Sequence, residues 1–133
     1  MAKRSFLVRD PANLLALRVA VGAVFIMHGG RTIFIKGTSW FAATYLESTG
    51  VPYPLILAVI VSLVELAGGI SLAIGFYPRV AALFLAGDMA TAFFLVHMNK
   101  GFFVAEGGFE FVMVLFAACL VFLIGPPPKV LRM

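Results

Sequence analysis

Six ionisable side chains stand inside long apolar runs of this sequence: Arg18, His28, Glu65, Asp88, His97 and Glu110. An ionisable group in hydrocarbon is costly unless it faces the interior of a helix bundle and finds a partner, so chemistry is expected at these positions. Counted along a helix, Glu65 and Asp88 each fall roughly 15 Å from the turn between their runs. Arg18 lies one to two turns into its own run, and its long side chain reaches toward that level. An inner polar network of Arg18 with Glu65, Asp88 or both is therefore expected, in which two acids against one arginine leave one carboxyl without a counter-charge. A second group, His28, Arg31, His97, Glu106 and Glu110, gathers toward the opposite end of the runs. Histidine beside carboxylate is what proton exchange near neutral pH requires. The same side chains also suit a purely architectural network, since a charge-paired layer can serve only to hold helices together.

The elements that must position these groups follow from hydropathy. Of 133 residues, 62% are hydrophobic and 12% charged, more apolar surface than a soluble chain of this size can hide. Four apolar stretches, 14–34, 55–76, 80–98 and 107–124, each approach the roughly 20 residues that cross hydrocarbon as a helix. The expected fold class is all-α: one integral membrane four-helix bundle over residues 1–133. Gly75-Phe76-Tyr77-Pro78 reads as a tight turn, with Gly75 closing one helix and Pro78 opening the next as an antiparallel hairpin. In the long connection from Lys36 to Pro54, Thr38 or Ser39 is expected to cap a short helix ending before Gly50. Its greasy side, Trp40, Phe41, Tyr45 and Leu46, is expected to lie at the membrane surface.

Lys3, Arg4 and Arg9 before the first run also have the outline of a signal peptide. The length of the run, the Arg18 and His28 inside it and the lack of a small-x-small cleavage pattern argue for a retained helix. Basic residues set the orientation. Lys3, Arg4, Arg9, Arg79, Lys129 and Arg132 on one side outnumber Arg31, Lys36 and Lys100 on the other, so both termini are expected to be cytoplasmic.

Helical spacing places Ser62, Glu65, Gly69 and Leu72 on one stripe, Asp88, Thr91, Ala92 and Leu95 on a second, and Arg18, Gly22, Phe25 and Gly29 on a third. Small residues beside the charged ones permit close helix approach. Cys119 has no partner cysteine and reads as a small buried hydrophobe. Metal-ligand spacing, phosphate-cradling loops, nucleophile elbows and nucleic-acid motifs are absent from the sequence. Two histidines on different helices are the minimum for a bis-histidine haem, which is all that speaks for one.

Read together, several segments resemble the DoxX family of small four-helix bacterial membrane proteins: Leu17-Arg18-Val19-Ala20-Val21-Gly22 with His28-Gly29, Gly50-Val51-Pro52, Glu65-Leu66-Ala67-Gly68-Gly69, and Gly75 with Pro78-Arg79-Val80-Ala81-Ala82-Leu83. His97 with Gly101-Phe102-Phe103, Gly108 with Glu110, and a Gly125-Pro126 exit extend the match over nearly the whole chain. The Pro126-Pro127-Pro128-Lys129 ending departs from the family's glycine-containing one, and the usual short acidic tail is missing. The resemblance implies a multi-pass protein of the bacterial inner membrane, an accessory subunit of a redox complex that interacts with quinone or quinol through a buried proton relay. His28 and Glu110, with His97 and Arg31, are then candidates for a quinone or proton site, and Arg18, Glu65 and Asp88 for the relay. No catalytic residue, metal or covalently bound cofactor is carried over, and quinone is the candidate ligand. The expected partners are membrane lipid, other membrane or redox subunits, or further copies of the chain. Two other functions fit the same residues: a structural anchor for a partner protein, and a small carrier or lipid-binding homo-oligomer.

Overall fold

The computed structural model describes residues 8–9, 12–125 and 129–130. Lys3, Arg4 and Arg132 of the orientation argument, and Pro126 of the family pattern, lie outside the described residues. Helix α1 runs Ala12–Arg31 and is prolonged by a π-helical turn, Thr32–Lys36. A short helix α2, Thr38–Phe41, continues through Ala42–Leu46 and Glu47–Thr49. Next come α3, Pro54–Ile74, and α4, Pro78–Ala92, the latter prolonged by Phe93–His97 and Met98–Lys100. The last helix, α5, is Glu110–Ile124. Three spans, Leu14–Lys36, Pro54–Ile74 and Pro78–Lys100, are long and apolar enough to cross a membrane, and α5 is a shorter apolar helix. At the other end of the bundle from the helix connections around α2, Val8–Arg9 pairs antiparallel with Lys129–Val130.

Local sequence explains the boundaries. Both α3 and α4 open on Tyr-Pro, with proline in the first turn and Tyr53 and Tyr77 at φ 52° and 45°. A residue before proline is kept out of the right-handed helical region, so each tyrosine ends the preceding segment. Gly75, at φ 77°, closes α3 with Gly75 N–H donating to Leu72 O and Phe76 N–H to Ser71 O, the left-handed stop that glycine makes without strain. The short helix is preceded by Gly37 rather than by a capping hydroxyl of Thr38 or Ser39.

The fourth helix begins at Glu110, three residues later than residue 107. Gly107 sits at φ 80°, and the chain folds back so that Phe109 N–H donates to Gly101 O and Glu110 N–H to Phe102 O. A Cβ on Gly108 would lie 2.5 Å from Gly101 O, so only glycine fits the crossing.

Packing is tightest between α1 and α3. A Cβ on Gly22 would meet Gly69 O at 2.8 Å, and one on Gly29 would meet Leu66 N at 2.6 Å. The stripe of Arg18, Gly22, Phe25 and Gly29 is buried against Ser62, Glu65, Gly69 and Leu72. Leu85, Met89, Leu115 and Cys119 fill the core between α4 and α5. Outward-facing residues such as Ile60, Leu63 and Phe84 are large, apolar and exposed. That is the surface a helix offers to lipid.

Candidate functional site

The four long helices leave a cavity of about 390 Å³ toward the end opposite the chain termini. Glu65 from the middle of α3 and Asp88 from α4 lie at its floor. Phe25, Met89, Val112 and Leu115 make its apolar walls, Arg31, His97 and Lys100 line it toward the α2 segment, and His28, next to Gly29 on the Glu65 turn, lines it at the level of Glu65. The segment after α1 folds over its mouth, bringing Trp40, Phe41 and Tyr45 into the lining. Tyr45 packs on both other rings, at centroid distances of 5.8 Å to Trp40 and 5.1 Å to Phe41.

The floor is held by close helix contact. With no side chain at Gly29, the α1 backbone lies directly on the α3 turn from Ser62 to Leu66 that carries Glu65. Ser62 Oγ donates back to Ala58 O at 2.7 Å, so its hydroxyl is spent within α3. Glu65 is 7% exposed. Its carboxyl and that of Asp88 approach each other closely enough for one to donate to the other when it carries a proton. Asp88 Oδ2 is buried and meets no donor in hydrogen-bonding geometry among the described residues. Facing carboxyls this close are coupled, so a proton on one changes the affinity of the other for its own.

The two histidines of the lining are fixed by their Nδ1 atoms. His28 Nδ1 lies 2.8 Å from Val24 O and His97 Nδ1 lies 2.6 Å from Gly107 O. A carbonyl oxygen only accepts, so each Nδ1 carries the hydrogen and each neutral ring keeps its lone pair on Nε2. Both side chains line the cavity, where Nε2 is the nitrogen available to accept a proton or a hydrogen bond. Among the described residues no group of three or more His, Cys, Asp or Glu side chains is placed to hold a metal ion.

The structure thus brings together Glu65, Asp88, His28, His97 and Arg31. It seats Arg18 elsewhere: Nη1 donates to Leu72 O at 2.7 Å and Ala73 O at 3.0 Å, about two turns along α3 from Glu65 toward the termini. Carbonyls in the last turn of a helix have no intrahelical donors and attract a cation, which accounts for the choice. Glu110 also stands apart from the lining, its Oε1 accepting from Val104 N–H at 2.8 Å to close the loop before α5. Amphipathic spacing alone puts Trp40, Phe41 and Tyr45 at the membrane surface and leaves Lys100 without a role in the site. No periodicity signals that the α2 segment folds back over the mouth. Arg79 Nη2 donates to Gly125 O and ties the start of α4 to the end of α5.

In comparisons with known proteins, the family model described as DoxX matches residues 13–98. The chain is 33% identical over 106 residues to an uncharacterized protein of Haemophilus influenzae, covering 74% of this chain and 72% of that protein. It is 34% identical over 91 residues to the Escherichia coli inner membrane protein YqjF, covering 68% of this chain and 65% of the relative. With the E. coli inner membrane protein YphA the identity is 33% over 84 residues, 62% and 57% of the two chains. No solved structure matches.

Proposed function

From the premise that this chain belongs to the DoxX family and is a multi-pass protein of the bacterial inner membrane, we propose that it is an accessory subunit of a redox complex that binds quinone or quinol. The observation that carries the reading is the cavity itself, an apolar slot whose lining holds two histidines and two carboxyls. Small-ligand sites have this composition, mostly apolar walls with a few polar groups that fix orientation.

In this reading the ring of the ligand lies between Phe25, Met89 and Leu115, and one ring oxygen meets a histidine of the lining. When the ligand is a quinol, Nε2 of His28 or His97 accepts the hydroxyl proton. The second oxygen points to the carboxyl pair, where Glu65 or Asp88 takes up the other proton. The two electrons pass to a redox centre on a partner subunit, so that quinol leaves as quinone, two protons and two electrons. Reduction runs the same steps backwards.

Trp40 is the single tryptophan of the chain and lines the mouth, which makes its fluorescence the direct readout. Titrating the purified protein in mild detergent with a short-chain quinone is expected to give saturable quenching. Glu65→Gln and His28→Ala are each expected to weaken binding about tenfold, the value of one charge-assisted or buried hydrogen bond. The proposal fails if quenching does not saturate, or if both variants leave binding and quinone-dependent activity of the complex unchanged. A stable co-purifying partner whose activity ignores both substitutions would make the chain an anchor instead.

A further inference from the structure

A second cavity, of about 380 Å³, lies between the Ala42–Thr49 segment and the Phe93–Lys100 segment. We propose that it seats the headgroup of an anionic glycerophospholipid, a site that does not depend on any ligand of the first cavity. Its polar side is made by Thr44, Ser48, Thr49, Asn99 and Lys100. Thr49 is already committed, its hydroxyl donating to Leu46 O at 2.7 Å and accepting from Val51 N–H at 3.3 Å. The hydroxyls of Thr44, Ser48 and Tyr45, the Asn99 amide and the Lys100 ammonium remain. Lys100 is the only charged residue in the lining, which favours a phosphate over a cation. A zwitterionic headgroup would find no carboxylate there for its ammonium. Glycerol hydroxyls would find Ser48 and Asn99.

The position of the cavity argues for a lipid rather than a soluble phosphate. It lies at the end of the α4 span, level with the short helix in which Lys36 Nζ stands 5.4 Å from the Trp40 ring centre, a pairing suited to the headgroup layer. On its other side the wall is apolar. Phe94 there is 62% exposed, an outward ring against which an acyl chain can lie. Tyr45, Leu95, Val96 and Lys100 line both cavities, so a seated lipid packs against the wall of the first.

Native mass spectrometry of the full chain in mild detergent, with phosphatidylglycerol or phosphatidylethanolamine added, tests the site. One phosphatidylglycerol per chain should be retained about fivefold more readily than phosphatidylethanolamine, the preference one lysine gives near an anionic headgroup. Lys100→Gln should remove that preference and Lys100→Arg should keep it. Since Lys100 is exposed, neither change threatens folding, and unchanged helicity by circular dichroism checks this. Equal retention of the two lipids, or a preference that survives Lys100→Gln, overturns the proposal. Displacement of the lipid by millimolar inorganic phosphate would assign the site to a free anion and overturn it equally.

Discussion

Replacing Gly29 with alanine should destabilise the bundle by about 2 kcal/mol, as read from thermal unfolding in detergent. Two effects compete at this position. Alanine is the better helix former, by roughly 1 kcal/mol at most. Against that, the added carbon would stand 2.6 Å from Leu66 N, 2.7 Å from Ser62 O and 3.0 Å from Glu65 Cβ. Two of these neighbours are backbone atoms inside a helix and cannot rotate away, so α1 and α3 must separate and the packing loss prevails. Because the displaced turn carries Glu65, the same variant should weaken ligand binding in the Trp40 titration. Gly87 supplies the control. A Cβ there meets nothing within 4 Å, so Gly87→Ala should leave stability unchanged or raise it by up to about 1 kcal/mol. If both alanines act in the same direction, close approach of α1 and α3 is not what glycine provides at position 29.

Arg18→Met, which keeps most of the volume and removes the charge, should cost about 2–4 kcal/mol. The sum combines a charge-assisted hydrogen bond with the favourable placement of a cation at a helix C-terminus. The side chain is 4% exposed, so water replaces little of what is lost. Gly75 reports on the same contact. A Cβ at Gly75 would come 2.7 Å from Arg18 Nη1, and the residue sits at φ 77°. Gly75→Ala should therefore cost left-handed backbone strain plus displacement of the guanidinium in the wild-type background. With methionine at position 18 only the strain remains, so a double-mutant cycle should show about 1 kcal/mol of coupling. Strict additivity would mean that Arg18 does not hold the end of α3.

Hydropathy alone located the membrane-length helices, because lipid-facing and core-facing residues are both apolar and the runs are bounded by Tyr-Pro and glycine. Stripes of small residues likewise pointed to the α1–α3 contact, where Gly22, Gly29 and Gly69 meet backbone. Glu65 and Asp88 could be paired by depth counting, since α3 ends and α4 starts at one tight turn. Arg18 could not be placed by counting. Leu72 O and Ala73 O, to which it donates, are main-chain carbonyls, which leave no mark in the sequence, and a charge count favours the nearest acid over a helix end. The loop contact of Glu110 is hidden from the sequence for a related reason. The backbone N–H of Val104 that Glu110 binds exists in every non-proline residue and becomes visible only when the loop is folded. The α2 segment was recognisable as a helix, but the direction in which it folds depends on Gly37 at φ 92° and Gly50 at φ 75°, two angles that composition does not encode.

The one-ended cavity bears on how the bundle experiences the membrane potential. Whenever water fills it, the electrical potential of its mouth extends inward as far as Glu65 and Asp88. The voltage drop is then concentrated in the apolar layer between those carboxyls and Arg18, about 10 Å along α3, instead of the roughly 30 Å of the bilayer core. A proton moving between the mouth and the carboxyl pair crosses little of the field. One driven between the pair and the terminal end would cross nearly all of it, at about 2.3 kcal/mol per 100 mV.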